Sequence, residues 1–470
     1  MSIRFPARAA SRACVRHLLA TALTVLPAAC LAASDVPIAD PGFGGSGDGI
    51  ARVPFDIVAN GNDVASAAVV ADGKLVLAGT AQVGADSYDI AFTRLGADGQ
   101  PDPDFGGGGR VLGGLAPVGY VTDLKRTADG HLLYVAATPP LTSAIVGRLN
   151  GDGTPDTSFN VSGHRFLSPG FFADDGAFVA LLRAVALADG KMLLIGFVAP
   201  SPDQYCVAVA RLAASGGTDT SFGAGRGSIC IAPSLSGIES VAQAADATVL
   251  DDGRILIAGT ARHPGGSGLD MSVTRLLPDG ELDTSFGPGH DGWAYVGFDQ
   301  GGDQTDAAWA LAVDSADRIV IAGIAQQPSG YDIGVARLLP SGETDPTFGL
   351  DGRRQLGLDL SNLASGYHAY ALSGGRVLIG GGATFAGESD STGLAAMLTP
   401  GGQLDPRFGD GGLFRQAAAG APTSAVVDTQ NVMLDGDHLY MVGGNRNTTS
   451  DRSDFAATRV VLPLFRDGFD

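Results

Sequence analysis

Short apolar runs alternate with turn residues along nearly the whole chain. Between residues 44 and 463 these runs are rich in Val, Ile and Ala, and Gly, Pro or Asp bounds each of them. Such runs are typical of β-strands, whereas an amphipathic helix repeats its apolar positions every third or fourth residue. The pattern therefore predicts an all-β protein.

The apolar pattern recurs about every sixty residues. Each unit holds a turn and an apolar run, such as ADGKLVLAG at 71–79, then a run ending in Arg-Leu, then a Phe-Gly step. Tandem units of this length are typical of solenoids and propellers. The recurring phenylalanines, 54 to 64 residues apart, are Phe43, Phe105, Phe159, Phe222, Phe286, Phe348 and Phe408.

Each unit is long enough for four strands. In the fourth unit they are predicted at 227–232, 242–250, 254–260 and 271–277. Four antiparallel strands repeated seven times predict a seven-bladed β-propeller. A solenoid rung is shorter than this unit, and a separate domain of sixty residues without disulfides would be marginally stable. We therefore expect one propeller over 34–464, with a short tail at 465–470.

The two ends of the repeat region complement each other. The first unit begins with a Phe step and one strand, and the last unit stops after the run at 455–461. Free strand edges favour aggregation, and closure removes them. We expect the strand at 50–55 to pair with the C-terminal strand and close the ring.

The strings RLLPDGELDTSFG (275–287) and ADGKLVLAG (71–79) resemble the delta-60 β-propeller repeat. The resemblance extends from Phe43 to about Val461. It departs from the pattern at Met397, where other units have Arg, and at Asn160, where others have Gly. The resemblance implies an exported bacterial propeller, and it brings no catalytic residues.

The first 33 residues have the character of an export signal. Four arginines precede a short apolar run at 18–29, and small residues follow. The run is too short for a comfortable membrane span, so we expect a cleaved signal peptide and a secreted, periplasmic or cell-surface protein. Lipid attachment at Cys30 is an alternative, although Pro27 stands where that motif has Leu.

The charge balance limits the partners. The chain has 30 basic and 50 acidic residues, a net charge of −20, and 70 glycines. Such an acidic protein lacks the basic surface that nucleic acid requires. We expect no nucleic-acid partner, no transmembrane segment and a monomer.

Two cysteines lie beyond the signal. If their runs pair as an antiparallel hairpin, residue 218 is the midpoint, and Cys206 and Cys230 lie nearly opposite each other. An exported protein meets an oxidising compartment, so we expect a disulfide, with two buried free thiols as the alternative.

An Asp follows each end-run Arg by eight residues. The loops between them resemble calcium loops, but a cation occupies the position of the first ligand. We interpret the residues as ion pairs that clamp the loop, and we assign no cofactor. Calcium at one or more loops stays an alternative, first of all where Met397 leaves Asp405 without an Arg. The pairs are Arg94–Asp102, Arg148–Asp156, Arg211–Asp219, Arg275–Asp283 and Arg337–Asp345.

Alternating strands put the repeated turns on one face and the irregular loops on the other. Loops that differ between copies of a scaffold are where recognition is usually found. No nucleophile elbow or zinc motif occurs, and the histidines are scattered, so we assign no catalytic residue and no metal site. The candidate ligand-binding residues are Phe171, Phe172, Asp174, Asp175, Asp299, Asp303 and Asp306.

Two functional hypotheses follow. The first is a non-enzymatic extracellular or cell-envelope scaffold that binds a glycan or a protein. The alternative is an exported enzyme acting on polysaccharide, with acidic residues at the channel mouth. Several carboxylates or a His within hydrogen-bond reach in one pocket would favour the enzyme.

Overall fold

A computed structural model describes residues 37–59, 61–174, 176–201, 204–233, 241–263, 268–298, 305–327, 330–358, 360–363, 367–388, 391–416, 428–447 and 452–462. The chain divides into Met1–Ser34 and Asp35–Asp470. The predicted signal peptide, Cys30 and the tail at 465–470 lie outside the described residues. In the described part, no helix is long and apolar enough to cross a membrane.

The described residues form short β-strands and three single turns of 3-10 helix. The 3-10 turns are Pro169–Phe171, Gly223–Gly225 and Ser373–Gly375. The first half of the chain contains the strands β1 (Ile38–Ala39), β2 (Ile50–Val53), β3 (Asp63–Ala71), β4 (Lys74–Gly84), β5 (Ser87–Leu95), β6 (Arg110–Leu112), β7 (Tyr120–Arg126), β8 (Leu132–Ala137), β9 (Ala144–Leu149), β10 (His164–Leu167), β11 (Phe178–Ala186), β12 (Met192–Ser201), β13 (Gln204–Leu212) and β14 (Ser228–Ile231).

The second half continues the same pattern. It contains the strands β15 (Ala242–Val249), β16 (Ile255–Arg262), β17 (Leu269–Leu276), β18 (Trp293–Val296), β19 (Asp306–Val313), β20 (Ile319–Gln327), β21 (Gly330–Leu338), β22 (Arg353–Gln355), β23 (Leu360–Leu363), β24 (His368–Ala371), β25 (Val377–Phe385), β26 (Thr392–Leu398), β27 (Leu413–Arg415), β28 (Asp428–Asp435), β29 (His438–Asn447) and β30 (Arg452–Val461). The chain is all-β, as the apolar pattern predicts.

The strands pair antiparallel in groups of four, which we call sets 1 to 7. Sets 1 to 4 are β3–β6, β7–β10, β11–β14 and β15–β18. A nine-stranded sheet contains set 5 (β19–β22) and set 6 (β24–β27), which β23 joins. Set 7 consists of β28, β29, β30 and β2, with β1 also paired to β30.

We call the first strand of each set its inner strand. Each inner strand contacts the inner strand of the next set, and β28 of set 7 contacts β3 of set 1. The apolar core lies between neighbouring sets. Phe92 of set 1, for example, packs edge-on against Tyr134 of set 2 with the ring centroids 5.1 Å apart. Burial between sheets explains why the runs of β4, β8 and β16 are almost continuously apolar.

The sheets begin one strand later than the sequence units. The strand predicted at 227–232 forms as β14, but it pairs with β13 of set 3 and not with β15. Set 4 instead takes β18, which follows the loop of Phe286. The long Arg-to-Phe loop is thus a hairpin connection within a sheet, and the irregular segment after each Phe strand leads to the next sheet.

The two ends of the described chain share one sheet. Ile50 pairs with Thr458 and Val53 with Phe455, so β2 lies along β30 as its antiparallel neighbour. The strand predicted at 50–55 therefore pairs with the C-terminal strand. Phe55 and Phe455 add an edge-on contact, with their ring centroids 5.0 Å apart.

Candidate functional site

Every predicted Arg–Asp pair is in contact. The Nε of each Arg lies within 2.6 to 2.8 Å of the Oδ2 of its Asp. The other carboxylate oxygen is used by the loop itself, since Asp283 Oδ1 accepts a hydrogen bond from Ser285 N at 3.1 Å. These Asp side chains are buried and paired with a cation, so their role is to hold the conformation of the loop.

The same loops connect neighbouring sets. Arg275 Nη1 donates to Pro340 O of the next set at 2.7 Å, and its guanidinium lies 4.5 Å from the centroid of the Phe286 ring. That ring packs against Gly342 of the next loop, where a Cβ atom would come within 2.9 Å of it. All seven recurring phenylalanines are buried. They are core residues between sets, and they are not available to stack on a ligand.

A sixth Arg–Asp pair escaped the sequence reading. Arg459 Nη2 lies 2.7 Å from Asp40 Oδ2, and the Arg459 guanidinium lies 4.6 Å from the centroid of Phe43. A signal was present, because Asp40 precedes Phe43 by three residues, as each paired Asp precedes its Phe. The eight-residue offset from Arg to Asp could not reveal it, since the two residues lie at opposite ends of the chain.

Asp405 has a cationic partner despite Met397. Arg407 Nη2 lies 2.6 Å from Asp405 Oδ2, and Arg407 Nε donates to Asp405 Oδ1 at 2.9 Å. The expectation of a carboxylate without a cation in this loop was wrong, because the Arg two residues later turns back onto it. Across the described ranges, no group of three or more His, Cys, Asp or Glu is placed to hold a metal ion.

The predicted disulfide between Cys206 and Cys230 is confirmed, with a Cα–Cα distance of 5.4 Å. The register differs from the prediction by two residues, because Cys230 pairs with Ala208. The cysteines are therefore diagonal neighbours on one face of the sheet. The bridge links β13 to β14. These strands belong to successive sequence units, and the sequence alone left open whether they pair in one sheet.

The candidate residues of the third irregular loop lie partly inside the protein. Phe172 is 3% exposed, and Phe171 lies beneath the Arg165 guanidinium at 5.1 Å. Asp174 is exposed and pairs with Arg226 at 2.9 Å. Arg226 follows Phe222 in a repeated loop, so Asp174 is tied to the face of the repeated turns. Among the described candidates of this loop only Asp174 is exposed, and ligand binding by these residues stays a prediction.

The other irregular-loop candidates offer little surface. Asp175, Asp299 and Asp303 lie outside the described residues. Asp306 is fully buried, with Oδ2 accepting from Phe298 N at 2.6 Å and Oδ1 from Gln326 N at 3.2 Å. Its carboxylate holds the main chain at the start of β19, and we leave it out of any ligand site.

The inner strands share a distortion that concentrates polar groups. Six of them contain a one-residue β-bulge, at Ser66, Thr122, Leu182, Ala245, Trp309 and Gln430. A Gly stands across the ladder there in the first set, where a Cβ on Gly79 would lie 2.0 Å from Val64 O. A bulge twists the strand and redirects the next side chain.

We call the residue directly after each bulge the post-bulge position. In set 6 the equivalent residue is His368. It pairs with Gly380, four residues after Arg376, just as Ala67 of set 1 pairs with Ala78, four residues after Lys74. The seven residues are Ala67, Asp123, Arg183, Asp246, Ala310, His368 and Asn431. The copies agree at Phe and Asp in the loops, but they differ in charge and size here.

The charged post-bulge residues link successive inner strands. Asp123 Oδ2 accepts from Ala184 N of set 3 at 2.8 Å, and Lys125 Nζ lies 3.0 Å from Asp123 Oδ1. Asp246 Oδ2 accepts from Leu311 N of set 5 at 2.9 Å. The Nε of Arg183 lies 3.5 Å from Asp246 Oδ1. We call Lys125, Arg183, Asp246, His368 and Tyr370 the inner-strand cluster.

Burial dominates the titration of this cluster. It raises the pKa of Asp246, although the charges of Arg183 and Lys125 oppose the effect. Burial and those same two cations hold the pKa of His368 well below its ordinary value, so its imidazole is neutral at neutral pH. Burial also raises the pKa of Tyr370 to about 12. His368 Nε2 and Arg183 Nε are buried without a hydrogen-bond partner in the described structure.

A cavity of about 260 Å³ adjoins the cluster. Lys125, Arg126 and Asp246 contribute its polar lining, and the small residues Ala184 and Ala247 leave it room. These residues follow the bulges toward the Asp-Gly turns, so the cavity lies on the side of the repeated turns. Sequence reasoning had placed the candidate site at the opposite end of the strands.

Four segments of the chain match the family described as "Domain of unknown function (DUF5122) beta-propeller". They span 71–105, 187–222, 250–286 and 316–348. Each segment runs from near the turn between the first two strands of a set to a recurring Phe, which is the most regular part of the unit. The fold is a β-propeller. No curated protein matches the sequence.

Solved propeller-like structures resemble the chain at low identity. The polysaccharide lyase Uly1 is 12% identical, with 85% of this chain and 90% of that chain covered and a TM-score of 0.47. Drosophila Plexin A in complex with Semaphorin 1b is 10% identical, with 88% and 86% covered and a TM-score of 0.40. The GH93 α-L-arabinofuranosidase of Fusarium graminearum is 11% identical, with 73% and 93% covered and a TM-score of 0.37. Likeness at this level assigns no activity to this propeller.

Proposed function

We propose that this chain is an exported, monomeric, seven-bladed propeller of the delta-60 type that acts as a binding scaffold. Residues 1–33 are its signal peptide and 34–464 its seven blades, which are sets 1 to 7. Three observations support closure: inner strands contact in succession, β28 contacts β3, and β2 completes set 7. The disulfide supports export, because such bridges persist in oxidising compartments.

The divergence at the post-bulge position carries the proposal. Positions that hold a repeated fold stay alike between copies, as the recurring Phe and Asp do. Positions free of that duty vary, and recognition is usually found among them. Arg183, Asp246 and His368 differ from one another in neighbouring or nearby sets, and Asp246 lines a cavity. We therefore place the ligand at the inner-strand cluster.

The geometry supports binding better than glycoside hydrolysis. Hydrolysis by two carboxyl groups requires both to reach the glycosidic bond. Asp123 accepts main-chain hydrogen bonds from Leu124 and Ala184, at 2.9 and 2.8 Å. Asp246 likewise accepts from Ala247 and Leu311, both at 2.9 Å. Both carboxylates are committed to holding inner strands together.

An array of glycans and cell-envelope fractions tests this proposal. The mature protein should retain at least one ligand without chemical change, and Arg183→Gln should weaken that retention. Arg226→Gln is the matched control, because Arg226 is an exposed Arg whose partner Asp174 lies outside the cluster. Retention lost equally in both variants, ligand turnover, or no retained ligand would each contradict the proposal.

A further inference from the structure

Two adjacent arginines on β22 have no ion-pair partner among the described residues. The Nε atoms of Arg353 and Arg354 are buried there without a hydrogen-bond partner. Side chains alternate along a strand, so the two arginines point to opposite faces of their sheet. A buried donor without an acceptor is costly, so an acceptor from a ligand would be favourable.

Arg110 in set 1 shows how the same position is satisfied elsewhere. Arg110 and Arg353 are equivalent, because each pairs with the residue directly before the Arg of an Arg–Asp clamp. Arg110 Nε donates to Pro54 O, which follows β2 of set 7, at 3.0 Å. Gly297 O has the equivalent place in set 4, since Pro54 and Gly297 both precede a Phe whose N–H is accepted by a buried Asp. Arg353 Nε does not reach that oxygen, so its guanidinium is not committed to the neighbouring set.

Arg353 instead lines a surface cavity of about 570 Å³ between sets 4 and 5. This volume lies in the range of pockets that bind small molecules. Pro288 and Tyr295 line the cavity from set 4, and Glu343 and Thr344 line it with Arg353 from set 5. Glu343 is exposed and, within the described structure, forms no ion pair with Arg353. A cation and an acid thus share one cavity without neutralising each other.

We propose that this cavity binds an acidic sugar, whose carboxylate or sulfate group lies on Arg353 and whose hydroxyl groups donate to Glu343. A guanidinium makes charge-assisted hydrogen bonds to such oxyanions, often two in parallel to a carboxylate. A Glu carboxylate is a hydrogen-bond acceptor only, so it requires donors such as the hydroxyl groups of a sugar. Pro288 and Pro346 offer apolar surface to the C–H groups of the sugar ring.

Glu343 excludes simpler ligands. An inorganic anion would meet Arg353, but Glu343 would repel it and would receive no donor from it. A neutral sugar would donate to Glu343 but would give Arg353 no charged acceptor. A ligand that carries both groups satisfies both side chains. The site lies at the last strands of sets 4 and 5, whereas the inner-strand cluster lies on first strands, so this inference goes beyond the binding proposed there.

Calorimetric titration of the mature protein with glucuronate, a glucose sulfate ester, glucose and inorganic sulfate tests the inference. We expect glucuronate or the sulfate ester to bind, and these two probes distinguish a uronate from a sulfated sugar. Glucose and inorganic sulfate should bind at least about tenfold more weakly, the scale of one charge-assisted hydrogen bond.

Arg353→Gln should weaken binding of the acidic sugar about tenfold or more. Arg354→Gln is the matched control, because it removes the same charge from the other face of β22 and outside the cavity lining. Glu343→Ala should also weaken binding of the acidic sugar, since the acceptor of its hydroxyl groups is lost. A site that attracted its ligand by charge alone would bind more tightly after that change, because a negative charge is removed.

Four outcomes would each overturn the assignment. They are failure of both acidic sugars to bind, equal binding of glucose or inorganic sulfate, equal loss in Arg353→Gln and Arg354→Gln, and tighter binding in Glu343→Ala. Arg183→Gln should leave binding of the acidic sugar unchanged, because Arg183 belongs to the inner-strand cluster. The site at Arg353 and the proposed inner-strand function can therefore fail independently.

Discussion

Arg459 and Asp40 lie 419 residues apart in sequence and form one ion pair, with Arg459 Nη2 2.7 Å from Asp40 Oδ2. Asp40 N also donates to Arg459 O at 2.8 Å, as Asp102 N donates to Arg94 O at 2.8 Å. The Arg459 guanidinium then reaches the carbonyl oxygen of Ala97, in the loop of set 1, at 2.6 Å. The two chain ends thus build one more copy of the repeated Arg–Asp–Phe loop.

This loop, built from both chain ends, contacts the loop of the next set in the same way as the loops that are built from one continuous segment. Arg275 and Arg337 each reach the following loop through a Pro carbonyl oxygen at 2.7 Å. Gly44 N donates to Asp98 O, as Gly287 N donates to Ser341 O, both at 2.8 Å. The clamp loops are therefore contacts between sets as much as within them.

Arg337→Met should be among the most destabilising changes in the clamps. Arg337 is 2% exposed, and its loss leaves the buried carboxylate of Asp345 without the Nε contact at 2.8 Å. Removing one partner of a buried pair costs roughly 3–5 kcal/mol. Equilibrium denaturation should show a loss of this size in the free energy of unfolding.

Set 6 supplies the control for that variant. Met397 stands there in place of Arg, and Arg407, two residues after Asp405, pairs with it. Thr347 lies two residues after Asp345, so Thr347→Arg in the Arg337→Met background should restore about half of the lost stability, since it recreates the natural arrangement. A double variant no more stable than Arg337→Met would refute our account of set 6.

The clamps should make the protein sensitive to acid. The Lys74 hydrogen bond, with that of Arg94, lowers the pKa of Asp102 to about 2. Because this folded-state value lies below the unfolded one, the pairing stabilises the fold above about pH 4 and is lost as pH falls through about 2. The pKa values of Asp156, Asp219, Asp283 and Asp345 are lowered too.

Denaturation between about pH 5 and pH 2 measures this effect. The free energy of unfolding should fall steadily with pH, and the fall should be smaller in Asp102→Asn, which is already less stable at neutral pH. Asp63 and Asp246 have raised pKa values and oppose the trend, but the lowered clamps outnumber them. Stability that does not change over this range would contradict the role of the clamps.

The disulfide gives a third prediction. The bridge closes a loop with a sequence separation of 24 residues, which corresponds to about 3 kcal/mol. The double variant Cys206→Ala/Cys230→Ala should lose about this much of its free energy of unfolding and unfold at a lower denaturant concentration. Unfolded mature protein should expose no reactive thiol without reductant and two with it, whereas two thiols in both conditions would rule out the bridge in solution.

The sequence predicted the parts of the fold that local chemistry determines. Gly and Asp at the turns and apolar runs of strand length placed β15, β16 and β17 within a few residues of their positions. The spacing of Arg275 and Asp283 predicted a contact because one loop holds both residues. Sheet membership was different, since β14 could join either neighbouring set until the register of Cys230 with Ala208 was known.

The inner-strand cluster was beyond sequence reasoning for a physical reason. The bulged residues Ser66, Leu182 and Trp309 share no residue type, and the Gly that stands across the ladder from each bulge does not show which residue follows it in space. Arg183, Asp246 and His368 can be recognised as equivalent only when each strand pair is aligned on the basic residue that follows its turn. Asp306, chosen as a surface acid, turned out to be a buried cap of its strand because its carboxylate accepts main-chain hydrogen bonds.

Cross-linking between β2 and β30 tests the closed seven-bladed ring most directly. Arg52 and Ala456 face each other in the antiparallel register, so cysteines at both positions lie within bridging distance. Arg52→Cys/Ala456→Cys should oxidise within one chain to a covalently closed monomer, and Arg52→Cys/Thr274→Cys should not. Intermolecular dimers, or the same behaviour in both variants, would contradict a propeller closed by its own two ends.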